Sequence, residues 1–161
     1  MIDPAHLVVL RKIYIRLRNS NVNWALTGSF SLALQGVPVQ VHDIDLQTDE
    51  AGAYEIERRF AEFVIQKVHL SPAERICSHF GALMMDGIKV EVMGDVRKRR
   101  EDGTWEEAED LERLKRVVEV EGMQIPVLSL DYEYQAYLAL GRIEKAEMLR
   151  KWLYEDVNRQ T

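Results

Sequence analysis

One cysteine, Cys77, in 161 residues leaves no partner for an internal disulfide, so the fold has to be held by its core and its hydrogen bonds, and the expected compartment is a reducing one, the cytoplasm. No apolar run approaches the roughly 18 residues that a membrane-spanning helix needs, which excludes a helical membrane anchor. The chain begins with Met1, Ile2, Asp3 and Pro4 and shows no basic stretch followed by an apolar core and a cleavage site, so no leader is expected. Basic charge is also in short supply. The net charge is −6, and an acidic chain repels the phosphate backbone, so general DNA coating is not expected. Repeats and low-complexity stretches are absent as well, which excludes solenoid and disordered readings.

What is present is enough for one core. At 47% hydrophobic and 30% charged residues, the composition is that of a globular chain, and its length fits a single domain over 1–161. Asp3 and Pro4 are a helix start, with apolar spacing continuing to residue 19. Residues 24–27 read as a short buried strand, 29–34 as a brief helix ended by Gly36 and Pro38, and 41–48 as an alternating strand. An amphipathic helix is predicted over 51–63, then a strand over 64–70. Asp86-Gly87 predicts a hairpin joining 81–85 to 88–93, and Glu121-Gly122 a second one joining 117–120 to 124–127. Ser129 caps a helix to Leu140, and a last helix runs from Ile143 to about Val157. Residues 95–110 read as a long charged loop. The order predicts an α+β fold: an N-terminal helix over 1–21, a mixed-sheet core over 22–128 and C-terminal helices over 129–161.

Three pieces of the sequence carry chemistry. Gly28-Ser29 follows the buried strand and opens a helix, where backbone N–H groups can meet phosphate and glycine permits a close approach. Asp43-Ile44-Asp45-Leu46 alternates so that both carboxylates share one face of a strand, about 7 Å apart, a repulsive pair unless a cation lies between them. Hard oxygen donors of this kind suit Mg²⁺, which pairs carboxylates with substrate phosphates. Glu91, between Val90 and Val92, repeats the pattern on a later strand and becomes a third carboxylate if the two strands are neighbours. Each piece alone is matched by a bland reading as an exposed strand face or an ordinary turn; their coincidence is what points to a site.

Together these residues resemble the nucleotidyltransferase (polymerase-beta-like) superfamily. The resemblance rests on Leu26-Thr27-Gly28-Ser29, a spacer of thirteen residues, and Asp43-Ile44-Asp45-Leu46, with Val90-Glu91-Val92 at the position of the superfamily's third acid. Ile125-Pro126-Val127-Leu128-Ser129 followed by a helix is similar to small single-chain members, including lincosamide-type antibiotic nucleotidyltransferases, and the likeness of layout extends from Trp24 to Trp152. The resemblance implies that Asp43 and Asp45 hold two Mg²⁺ ions with help from Glu91, and that Gly28 and Ser29 hold the triphosphate. It further implies attack by an acceptor hydroxyl on the α-phosphorus of a nucleoside triphosphate, with release of pyrophosphate. The acceptor is left open among small molecule, protein and RNA, and an oligomer is possible. Two departures stand out: the stretch just before Asp43, residues 37–42, has no arginine, where related small enzymes often place an arginine or threonine, and the third acid is Glu where Asp is common. A catalytically weak nucleotide-binding module, or a toxin–antitoxin partner of the same fold, is the alternative.

Weaker features are read conservatively. Arg97, Lys98, Arg99 and Arg100 read as a solvated loop, with an arm over the triphosphate or an RNA patch as the functional alternative. Arg142 and Lys145 either face phosphates or pair with helix-surface acids. Tyr132, Tyr134 and Tyr137 read as packing residues, Trp105 as surface cover, and His42 as structural. His69 and His79 lack zinc-ligand spacing. Candidate general bases are Glu106, Glu107, Asp131 and Glu133, with nothing in the sequence to choose among them.

Overall fold

The computed structural model describes the backbone of residues 2–159 and the side chains of residues 2–155, so the ends of the expected domain, residues 1, 160 and 161, lie outside the described residues. Helix α1 spans Pro4–Leu17; Asp3 Oδ1 accepts from the Ala5 N–H at 2.9 Å and Pro4 fills the first turn, where its missing donor is not needed. Strand β1 (Trp24–Thr27) runs into α2 (Gly28–Leu34), and β2 (Ile44–Thr48) into α3 (Glu50–Arg59). Then follow β3 (Val64–Pro72), β4 (Ile76–Met85), β5 (Ile88–Lys98), the single turn α4 (Leu111–Leu114), β6 (Lys115–Val120) and β7 (Met123–Leu128). Helices α5 (Leu130–Ala139) and α6 (Ile143–Arg159) close the chain. No helix among the described residues is long and apolar enough to cross a membrane.

Among these residues seven strands form one mixed sheet in the order β3-β4-β5-β2-β1-β7-β6. Both hairpins form where the sequence places them. Asp86 and Gly87 have φ of 51° and 81°, and Glu121 and Gly122 have 50° and 81°, the paired left-handed geometry that lets a two-residue turn follow the twist of its strands. The pairings β1–β7 and β2–β5 are parallel, and the rest antiparallel. The α+β reading therefore holds.

One face of the central strands supplies the main core. Leu26, Ile44, Leu46, Val90 and Val92 are buried there with Leu10 and Ile13 of α1 and Ile56 of α3, while Phe30 and Phe60 fill the ends. The opposite face is partly covered by α5 and α6, through Ala25, Leu128 and Tyr132 on one side and Leu32, Tyr137 and Leu149 on the other. Because the helices cover that face incompletely, a cleft remains over β1, β2 and β5.

Several boundaries differ from the sequence reading. The helix predicted over 51–63 ends at Arg59 and passes through a 3₁₀ turn at Ala61–Phe63. Strand β2 begins one residue after Asp43, so only Asp45 of the two aspartates lies within it. The loop predicted over 95–110 begins late, because β5 continues to Lys98 and Arg99 bridges to Trp105. The added strand length comes from pairing with β4, a contact that local charge content does not reveal.

Candidate functional site

Register alone puts the acids together. In the parallel pair β2–β5, Asp45 lies opposite Glu91, and in the antiparallel pair β1–β2, Thr27 lies opposite Asp45. Directly paired residues project to the same face, so Thr27, Asp45 and Glu91 form a row across three adjacent strands. Asp43 stands at the entrance to β2 on the same cleft. Its approach is pinned from both sides: the His42 N–H donates to Ser29 Oγ at 3.2 Å, and the His42 carbonyl accepts from His6 Nε2 at 2.8 Å. Ser29 thus fixes the strand entry that carries Asp43, and it is the backbone of His42, not its ring, that makes these bonds.

Gly28 has φ +76°, and the carboxylate of Asp45 occupies the space that a Cβ at residue 28 would take. Only glycine allows the turn and the aspartate to coexist there. The Gly28 N–H donates to Glu133 Oε1 at 3.3 Å, and Thr27 Oγ1 donates to the same oxygen at 2.6 Å. Glu133 comes from the first turn of α5, whose start is capped by Ser129 Oγ accepting from the Tyr132 N–H. Its side chain is 3% exposed, so this carboxylate is a buried brace beneath the glycine turn.

Electrostatics follow from that enclosure. Burial, then the neighbouring Glu91 and Asp43, raise the Asp45 pKa from 3.8 to about 7. Burial raises Glu133 from 4.5 to about 7 against the hydrogen bonds from Thr27 and Gly28, which favour its charged form. The acids do not stand alone: Lys89 Nζ lies 3.2 Å from Glu91, and Arg142 acts on Asp45 in the opposite sense to its acidic neighbours.

A second group in the cleft was not legible as such. Lys98 is buried, its ammonium 4.5 Å from the centre of the Tyr132 ring and 3.4 Å from Glu109. The Tyr132 hydroxyl accepts from Gln47 Nε2 at 3.3 Å, and burial holds its pKa above the ordinary phenol range. The solvated-loop reading of residues 97–100 is therefore corrected for Lys98. The reason is a β-bulge: His79 pairs with Gly94 and Cys77 with Arg97, so β5 holds one residue more than β4 between these pairs. Asp95, with φ +49°, absorbs the extra residue. Alternation then changes parity, so that Glu91 and Met93 face the cleft before the bulge and Val96 and Lys98 after it. Arg75, Arg142 and Lys145 line the same cleft. Of the four candidate bases, Glu133 alone is among the described lining residues. Its presence near a site was signalled only by an acid lodged between Tyr132 and Tyr134 in a helix's first turn.

The cleft has a volume of about 720 Å³, within the roughly 300–1,000 Å³ of small-molecule sites. Its floor is acidic and its walls carry four cations, so charges of both signs face one enclosed volume. The model of the aminoglycoside-2''-adenylyltransferase family matches residues 9–151. This chain belongs to that family. Membership makes it a nucleotidyltransferase. The match includes every residue that lines the cleft. Among solved structures, a candidate nucleotidyltransferase from Thermotoga maritima is 71% identical, with 96% of each chain covered and a TM-score of 0.86. The fold is shared with two more distant structures. One is the lincosamide antibiotic adenylyltransferase LnuA bound to lincomycin (12% identity, 93% of this chain and 97% of that one, TM-score 0.57). The other is ANT(2'')-Ia in complex with adenylyl-2''-tobramycin (16% identity, 95% and 92%, TM-score 0.58). No curated protein sequence matches the chain.

Proposed function

We propose that the cleft binds a nucleoside triphosphate, ATP in the first instance, together with Mg²⁺, and transfers the nucleoside monophosphate to a hydroxyl of a small polyhydroxylated acceptor. The acceptor oxygen bonds to the α-phosphorus, the α–β phosphoanhydride breaks, and pyrophosphate leaves. The observation that carries this reading is the row of Asp45 and Glu91 on adjacent parallel strands, with Asp43 at its entrance.

The donor set fits hard divalent cations. Asp43, Asp45 and Glu91 line the one cleft, and Asp45 has its pKa raised by burial and by the other two, a repulsion that a divalent cation between them would relieve. When bound, Mg²⁺ would neutralise the triphosphate and stabilise the charge that develops on the leaving pyrophosphate. In this reading Asp43, Asp45 and Glu91 are the metal-holding, catalytic residues, and Gly28 and Ser29 line the nucleotide. Glu133 keeps the Thr27–Gly28 turn in place from below, and Lys98, Arg75, Arg142 and Lys145 face the phosphates. The acceptor class follows from the relatives' antibiotic acceptors and from a cleft of this size, which suits a small molecule better than a protein or RNA end. The reading takes residues 1–161 as one domain, because α5 and α6 pack over the same sheet that carries the acids. With a single cysteine, a reducing cytoplasmic setting suits it.

The test is pyrophosphate release from ATP with and without Mg²⁺, across a panel of aminoglycosides and lincosamides. Acceptor-dependent, Mg²⁺-dependent release is expected, and Asp45→Asn should lower it by roughly 10²–10³-fold, the scale for removing one charge-stabilising element from an active site. If ATP binding is indifferent to both Mg²⁺ and Asp45→Asn, the reading is wrong.

A further inference from the structure

We propose that the protein carries a second cation site on the opposite face of the sheet, formed by Glu50, His79 and Asp95 and suited to a divalent transition metal of the Zn²⁺ type. One donor atom from each of the three residues lies within 4.8 Å of the others. The residues come from three elements: the first turn of α3, the middle of β4 and the bulge of β5. His79 alternates with Ser78 and Phe80, which line the cleft, so its ring projects to the other side. The bulge sends Asp95 to that side too. Helix α3 presses onto the sheet at this point, since the carbonyl of Asp49 and the Cβ of Ala53 occupy the space that a side chain at Gly94 would need.

The histidine has one ring nitrogen engaged and the other facing a carboxylate. Its Nδ1 lies 3.2 Å from the Tyr54 hydroxyl, and its ring sits edge-on to Tyr54 with centroids 5.6 Å apart. With the proton on Nδ1 donated to Tyr54, the lone pair of Nε2 faces Glu50, whose carboxylate is 3.8 Å away. Bonding of the remote ring nitrogen is the usual way a ligand imidazole is held in one tautomer. Among the described residues, neither Glu50 nor Asp95 has a lysine or arginine ion pair. Two uncompensated carboxylates around a fixed imidazole nitrogen favour a borderline cation such as Zn²⁺; Mg²⁺ prefers oxygen donors and water. The three elements would then be joined by one ion, tying the start of α3 to β4 and β5. This site does not depend on the reading of the cleft.

The test is calorimetric titration of metal-stripped protein with ZnCl₂, in the absence and presence of millimolar MgCl₂, on the wild type, Asp45→Asn, His79→Gln and Asp95→Asn, each checked by circular dichroism. Beside any Zn²⁺ taken up by the cleft carboxylates, one Zn²⁺ per chain is expected whose binding is unaffected by Mg²⁺ and retained in Asp45→Asn. Affinity should fall at least ~tenfold in His79→Gln and Asp95→Asn, with loss of the accompanying rise in Tm. A wild type without this Mg²⁺-insensitive Zn²⁺, Mg²⁺-insensitive binding that survives both back-face substitutions, or its loss in Asp45→Asn overturns the proposal. Should either back-face variant fail to fold, a measurement on the wild type decides. Zn²⁺ should protect His79 from carbethoxylation in peptide mass spectra, and an unprotected His79 would refute the site.

Discussion

Gly28 shows how one residue can be required twice. Its φ of +76° penalises any side chain, and the Asp45 carboxylate fills the place where a Cβ would go. Gly28→Ala therefore combines backbone strain of about 1–3 kcal/mol with displacement of a proposed metal ligand. The expected outcome is a lower urea midpoint together with loss of Mg²⁺-dependent ATP binding. An alanine variant of wild-type stability and affinity would mean that the turn and the aspartate are not coupled. The sequence marks Gly28 as a point where a ligand phosphate comes close. What it approaches is Asp45, with Glu133 accepting its N–H, and both contacts join residues far apart in the chain.

At the scale of the element, the bulge in β5 decides which cations enter the cleft. Strict alternation from Glu91 would send Arg97 to the cleft and Lys98 away from it. The extra residue at Asp95 reverses this, burying Lys98 beside Tyr132 while Arg97 stays exposed. Lys98→Met should raise KM for ATP roughly tenfold or more, the worth of one charge-assisted hydrogen bond, whereas Arg97→Met should leave it unchanged. Steady-state kinetics of the two variants side by side check this, and equal effects would contradict the parity argument. The turns of the two hairpins were readable because Asp86-Gly87 and Glu121-Gly122 adopt the required dihedrals locally. The bulge was not, because it arises from the pairing of β5 with β4 and leaves no comparable dipeptide signal.

Across the whole molecule, the cleft stores electrostatic cost that a cation would relieve. Asp45 and Glu133 both hold protons more tightly when folded, with pKa values raised to about 7 from 3.8 and 4.5. Between those limits the folded state binds more protons than the unfolded one, so the stability of the metal-free protein falls as pH rises from about 4 to about 7 and levels off above that. Mg²⁺ competes with those protons and should stabilise the fold more at about pH 8 than at about pH 5.5. Asp45→Asn should reduce the pH dependence to the share that Glu133 contributes and abolish the Mg²⁺ effect, while leaving the Tm at about pH 8 equal or higher, because a buried charge has gone. Thermal melts at the two pH values, with and without Mg²⁺, measure all three. A Mg²⁺ shift that is independent of pH, or that persists in Asp45→Asn, would place the ion elsewhere.

By itself the sequence determined the order of the main elements, though not the single turn α4, together with the two hairpin turns and the α1 cap, and it singled out three acids that line the cleft. All of this depends on residues close together in the chain. Hydrophobic alternation around Asp45 and Glu91 even specified that each turns away from the apolar side of its own strand. Tertiary structure decided that those strands are parallel neighbours in register. It also decided that Glu133 lies beneath the glycine turn, that Lys98 and not Arg97 faces the cleft, and that His79 meets Glu50 and Asp95 behind the sheet. Each of these is a meeting of distant segments, fixed by sheet order and by one inserted residue, and neither propensity nor spacing along the chain encodes it.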